Sequence, residues 1–102
     1  LSYDRELPLS DDKAINAALE KIHNEFGTEL SIAELAADAG FEVNYFIRRF
    51  RKVVGITPYS YLRRYRLAKA RALYSSGLTL AEVAEIVGYD DPSSLSRALK
   101  TR

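Results

Sequence analysis

TLAEVAEIVGYDD, Thr79 to Asp91, restates SIAELAADAGFEV, Ser31 to Val43, forty-eight residues further along the chain. Each copy opens on a hydroxyl residue followed three positions later by glutamate (Ser31 and Glu34, Thr79 and Glu82), the reciprocal capping box of a helix start. Each closes on a glycine, Gly40 or Gly88, the residue that best tolerates the left-handed backbone just past a helix end. A further helical stretch follows each copy, from about Val43 to Val54 and from about Pro92 to residue 101. Two short helices around a glycine turn form a helix-turn-helix, whose second helix can enter the major groove of DNA.

The two second helices agree in register. At 100° per residue Phe46, Phe50 and Val53 share one face of the first, and Asn44, Ile47, Arg48 and Arg51 share the opposite one. In the last helix Leu95 and Leu99 form the apolar face, with Ser93, Ser96, Arg97 and Lys100 opposite. Adding 49 maps the first polar set onto the second. The offset grows by one because the second turn, Tyr89-Asp-Asp-Pro, is one residue longer. Arginine suits a guanine edge, asparagine an adenine edge, and an exposed isoleucine a thymine methyl.

The rest of the chain is punctuated in the same way. Ser10 is expected to cap a first helix with acids in its opening turn and an apolar series Ile15, Leu19, Ile22, Phe26, ending at Gly27. Thr57-Pro58 opens a long helix of about 17 residues that ends near Ser75–Gly77. Tyr61, Tyr65, Ala68 and Ala72 lie on one side of it and Leu67, Ala70 and Tyr74 on the other. That pattern predicts a linker held between two bodies, which would keep the two recognition helices apart. The expected fold is all-α, with six to seven helices: two helix-turn-helix subdomains, 11–56 and 78–102, a linker helix over 57–77, and an interdomain tail over 1–10.

The net charge of +1 conceals a sorting along the chain. Residues 1–42 carry ten acids against three bases, and residues 43–81 carry nine Lys or Arg and no acid. A block of that sign fits either a polyanion partner or a solvated basic face. With no cysteine there is no disulfide framework, thiolate nucleophile or sulfur ligand. Glycines stand singly at helix ends, so no phosphate loop exists, and no metal or cofactor site is expected. His23, one position off the Ile22 stripe, is expected to be exposed and inert. Asp90-Asp91 is read as a turn and N-cap rather than a catalytic pair. No apolar run reaches the roughly 18 residues of a membrane helix, and the first residues carry no signal-peptide pattern.

SIAELAADAG, FIRRFRKVVGITPYSYLRRYRLAKARALY and LTLAEVAEIVGYDDPSSLSRALK together resemble the DNA-binding domain of AraC/XylS-type transcriptional regulators. The run from Phe50 to Arg66, with Gly-x-Thr-Pro-x-x-Tyr-Leu at Gly55 to Leu62, is its most specific part. The resemblance covers about Ala14 to Lys100. It implies sequence-specific binding to promoter DNA in the bacterial cytoplasm, with the recognition helices in adjacent major grooves of one face. Base-contact positions would be Asn44, Ile47 and Arg48, with Val43 and Tyr45 beside them, then Pro92, Ser93, Ser94, Ser96 and Arg97. Arg49, Arg51, Lys52 and Lys100 would hold phosphates, and Arg63, Arg64 and Arg66 would do so or brace the linker.

The resemblance further implies transcription activation through contact with RNA polymerase. The chain, which begins at Leu1, is expected to be a monomeric piece of a longer protein, dimerised, where dimers form, through a missing N-terminal domain. Glu42 departs from the family pattern, standing where a small polar residue near the DNA backbone is common. So do Pro92, Ala98-Leu99 and the lack of a closing Gly-x-x-Pro-x-x-Tyr segment, so the second motif is expected to read less stringently. The alternative is a helical protein–protein module that keeps the fold but binds polymerase or another regulator.

Overall fold

Six helices account for the regular structure of the computed structural model, which describes residues 12–100. They are α1 Lys13–Glu25, α2 Ile32–Ala39, α3 Val43–Val54, α4 Pro58–Ser75, α5 Leu80–Val87 and α6 Pro92–Lys100. The expected tail over 1–10 and the expected cap Ser10 lie outside the described residues. The side chain that caps α1 is Asp12, which accepts from the backbone N–H of Ile15. No acid stands in the first turn of α1, because the nearest acidic residue is the cap itself.

The repeated punctuation forms in full at α5 and in part at α2, where the expected return bond to the Glu34 side chain is not made. Ser31 accepts from the N–H of Glu34 at the start of α2, and Thr79 with Glu82 closes a capping box in both directions at α5. Gly40 and Gly88 end these helices at φ 75° and 85°, a region that only glycine enters without strain. Thr57 caps α4, with Pro58 in its first turn.

Two apolar clusters hold these helices. Ile15, Leu19, Ile22, Leu35, Phe46, Phe50, Tyr61 and Leu62 lie in the first, which joins α1, α2 and α3 to the start of α4. Leu67, Ala70, Val83, Ala84, Val87 and Leu95 form the second, which joins the later part of α4 to α5 and α6. The linker helix therefore divides its apolar residues along its length as well as around it. Ala72 and Tyr74, expected on its buried flanks, are exposed, because the last turn of α4 meets the second cluster only through Leu73, which lies between them.

His23 also differs from expectation. Its Nε2 lies 2.6 Å from the Tyr61 hydroxyl, and its ring stands 4.2 Å from that of Tyr65. The side chain is half-buried because α4 crosses the end of α1 and brings two tyrosines over it. Periodicity within α1 carries no trace of that crossing.

Candidate nucleic-acid interface

Burying one side of a recognition helix exposes the other. Phe46 and Phe50 are fully buried, and this turns Asn44, Arg48, Arg51 and Lys52 to solvent. Leu95 is fully buried, and Ser93, Arg97 and Lys100 are exposed as a result. The correspondence across 49 residues extends to the intermediate positions, since Ile47 and Ser96 are both half-buried. Ile47 is thus less open than its polar neighbours suggest, with only part of its side chain available for apolar contact.

A second correspondence lies three residues before each arginine. The Arg48 guanidinium carbon stands 6.0 Å from the centre of the Tyr45 ring, which itself meets Phe41 edge-on at 5.0 Å. Forty-nine residues on, Arg97 donates from Nη2 to the Ser94 hydroxyl at 3.3 Å. Tyr45 and Ser94, both base-contact candidates, therefore touch the arginines of their own helices. Val43 is exposed in the first turn of α3, and Pro92 is exposed at the equivalent point of α6.

The starts of the two helices carry fixed negative charge. The Glu42 carboxylate accepts from the N–H groups of Asn44 and Tyr45 at 2.9 and 3.1 Å. Those two bonds hold its pKa below the ordinary value, and the charge of Arg48 adds to them. Asp91 accepts from the N–H of Ser94 at 2.7 Å, and its pKa is lowered first by that bond and further by the Ser94 hydroxyl and Arg97. A helix N-terminus attracts anions because its first N–H groups lack partners. In α3 two of those donors already face a carboxylate.

The other basic residues fall into two groups. Lys52, Arg64 and Lys100 are exposed and Arg63 is half-buried. Arg49, one of the expected phosphate holders, donates from Nε to Asp12 at 2.6 Å, tying α3 to the cap of α1. Arg66 donates from Nε to the Phe26 carbonyl at 2.7 Å and from Nη2 to the Thr28 carbonyl at 2.8 Å. Burial pushes the Arg66 pKa down, though a guanidinium stays charged at neutral pH. Residues 37 to 40 positions apart make these bonds, so no local motif could reveal them.

Arg71 was not singled out by its sequence pattern. It donates from Nη2 to the Leu99 carbonyl at 3.4 Å, a long contact between α4 and the end of α6. The domain measures 39 Å along its longest axis. That length exceeds the roughly 34 Å between successive major-groove openings on one face of DNA. Among the described residues no group of His, Cys, Asp and Glu could hold a metal, and no helix is long and apolar enough to cross a membrane.

Comparison with known proteins agrees with this architecture. A helix-turn-helix domain family matches residues 35–102. A Streptomyces lividans protein described as an AraC-like transcription regulator is 36% identical over 90 residues, 87% of this chain and 30% of that protein. Among solved structures, the C-terminal domain of the response regulator yesN from Fusobacterium nucleatum superposes with a TM-score of 0.82 at 24% identity. That match covers 87% of this chain and 94% of the other. The DNA-binding domain of AdpA, solved in complex with a target DNA, gives a TM-score of 0.80 at 24% identity over 87% and 81% of the two chains. The chain spans about a third of the length of the curated relatives it matches.

Proposed function

The chain belongs to the AraC-type helix-turn-helix family of DNA-binding domains, and we propose that it reads promoter DNA with both α3 and α6. The single observation that carries this reading is the match between the two helices. The exposed Val43, Asn44, Arg48 and Arg51, the half-buried Ile47 and the buried Phe46 repeat at an offset of 49 as Pro92, Ser93, Arg97, Lys100, Ser96 and Leu95, with an arginine at the same place in each exposed face.

Asn44, Ile47 and Arg48 read bases in one groove, and Pro92, Ser93, Ser96 and Arg97 meet the next. Arg48 and Arg97 supply paired donors to a guanine edge. Tyr45 and Ser94 hold these arginines in place, and Val43 and Pro92 offer apolar contact at the groove floor. Arg51, Lys52 and Lys100 neutralise phosphates, with Arg63 and Arg64 at the edge of the interface. Arg49 and Arg66 act instead as internal ties, Arg49 through Nε to Asp12 and Arg66 through Nε and Nη2 to the Phe26 and Thr28 carbonyls.

Glu42 caps α3 from the position where DNA backbone would approach, so phosphate is kept from that helix start and the basic side chains carry the grip. The AdpA domain, which shares this fold, was solved in complex with a target DNA, which supports DNA as the partner. The wider role belongs to the same reading: a regulator acting in the bacterial cytoplasm that recruits RNA polymerase. One monomer carries both reading helices, and any dimerisation comes from elsewhere in a longer protein.

The test is the salt dependence of affinity for a promoter duplex, followed by fluorescence anisotropy. Neutralised phosphates make log affinity fall with log salt by roughly 0.9 per contact. Five exposed or half-exposed basic side chains beyond the two readers predict a slope of about 4 to 5. A flat dependence with no retention of promoter fragments would instead favour the protein–protein module.

A further inference from the structure

Gly27 is the glycine whose backbone does not require glycine. Gly40, Gly55, Gly77 and Gly88 all have positive φ, and Gly27 does not. Its reason is spatial: a Cβ at Gly27 would overlap the carbonyl oxygen of Ile86, near the end of α5. The approach is reciprocal. A Cβ on Gly88 would stand 3.1 Å from the Gly27 carbonyl oxygen and 3.3 Å from the Arg66 guanidinium. The turn after α1 is thus seated, backbone to backbone, against the last turn of α5.

Three further contacts close around that seat. Arg66 of α4 reaches the Phe26 and Thr28 carbonyls on either side of Gly27. The turn is held in shape by Thr28, whose N–H and hydroxyl both donate to the Glu25 carbonyl. Phe26 packs against both apolar clusters and meets Tyr65 edge-on at 5.1 Å. A single helix joining two bodies leaves them free to bend and twist about it. A second attachment away from the helix axis removes that freedom.

We propose that the Phe26–Thr28 turn, clamped by Arg66 and seated on Gly88, sets the phase between α3 and α6 and so determines which half-site spacing the domain accepts. This rests on the reading that both helices bind DNA. One inserted base pair moves a half-site by about 3.4 Å and turns it by about 34°. A pair of helices in fixed relation cannot follow that change without losing contacts on one side. Gly27, Arg66 and Gly88 are positioning residues that touch no DNA.

The test has an arm without DNA and an arm with it. The chain has no native cysteine, so A37C and E85C, at exposed positions of α2 and α5, take spin labels cleanly. Pulsed electron resonance should give a narrow interlabel distance in the parent chain and a broader one in Arg66→Met. Gly27→Ala should shift the distance. Arg66→Lys, which keeps the charge but loses the planar fork, should also give a broader distance than the parent and takes the place of Arg66→Met if that variant does not fold.

The second arm measures affinity for a duplex enriched by the chain from a randomised library, and for versions with one base pair added or removed between the half-sites. The parent should lose roughly tenfold or more on either change, the scale of a lost base contact. Arg66→Met should bind the original duplex more weakly and discriminate less between spacings. An unchanged distance distribution in folded Arg66→Met and Gly27→Ala overturns the clamp, whatever the DNA arm gives. A broadened distribution with an unchanged spacing profile overturns the role in spacing. Broadening with no duplex bound by the parent at any spacing removes the DNA-binding reading and the spacing role with it.

Discussion

Leu95→Ala should detach the second reading helix while leaving the first in place. Leu95 is the one side chain of α6 that is fully buried, whereas α3 is anchored by Phe46 and Phe50 together. Ala98 and Leu99 are half-buried against the second cluster, and the Arg71 contact to the Leu99 carbonyl is long. Truncating leucine to alanine removes three buried carbons, worth about 2.4 kcal/mol by transfer at ~0.8 kcal/mol each. The cavity adds to this, and a helix at the domain edge can relax into part of it, so about 3 kcal/mol is expected. For a domain of this size that lowers the thermal midpoint by roughly 15 °C.

The same 3 kcal/mol corresponds to about two decades of hydrogen-exchange protection, since each 1.36 kcal/mol is tenfold. Those decades should be lost first from α6 amides, which open locally once their anchor is gone. On DNA, the footprint should shrink to the half read by α3, and discrimination at the other half should disappear. If α3 and α6 amides lose protection equally, and both halves of the footprint fade together, α6 is not held individually by Leu95 and the reasoning is wrong.

Three further outcomes are expected. Arg48→Ala should relax specificity at one position and cost about 1–3 kcal/mol in binding, whereas Lys52→Ala should weaken every site alike; a randomised-site selection separates the two, and uniform loss in both contradicts the assignment. Arg97→Ala should cost less than Arg48→Ala, because α6 opens on Pro92, which donates no hydrogen bond, and is held by one fully buried side chain where α3 has two, and an equal or larger loss refutes this. Glu42→Ser, which keeps a capping oxygen but removes the charge, should lower the thermal midpoint slightly and tighten binding to every duplex, measured by anisotropy at fixed salt; weaker binding would show that Glu42 helps the interface.

Acid should destabilise the domain in a defined direction. Asp12, Glu42, Glu82 and Asp91 have pKa values lowered in the folded state, each first by the backbone N–H it accepts at a helix start. A lowered folded pKa gives stability that is present above the ordinary carboxylate value and lost as pH falls through the folded one. The thermal midpoint should therefore hold steady from neutral pH to about 5 and fall below about pH 4. A midpoint that rises on acidification contradicts the capping assignments.

The helices and their exposed faces were legible because their signals are local. A capping hydroxyl, a glutamate three residues on and a terminal glycine sit within ten positions, and an apolar stripe repeats every turn. The two recognition helices begin at Val43 and Pro92 as those signals predict. What was not legible joins residues distant in the chain. Arg49 and Arg66 look like any other members of a basic block, and only the crossing of helices gives them Asp12 and the Phe26 and Thr28 carbonyls as partners.

Gly27 shows the same limit more sharply. As a glycine after an amphipathic stretch it reads as a helix stop, yet its backbone would suit any residue and its constraint is the Ile86 carbonyl. His23 was misplaced for a like reason, since α4 covers it from outside its own helix. Glu42 stands out in the sequence only as a departure from the family pattern; its bonds to two helix N–H groups depend on the backbone turning at that point.

The central claim is that α3 and α6 each read bases from one monomer. A randomised-site binding selection with the chain measures this directly. Two blocks of sequence preference should emerge, centred about one helical turn (roughly 10 base pairs) apart, with the block lost in Arg48→Ala distinct from the block lost in Arg97→Ala. A single block, or enrichment of no sequence over the starting library, would contradict it.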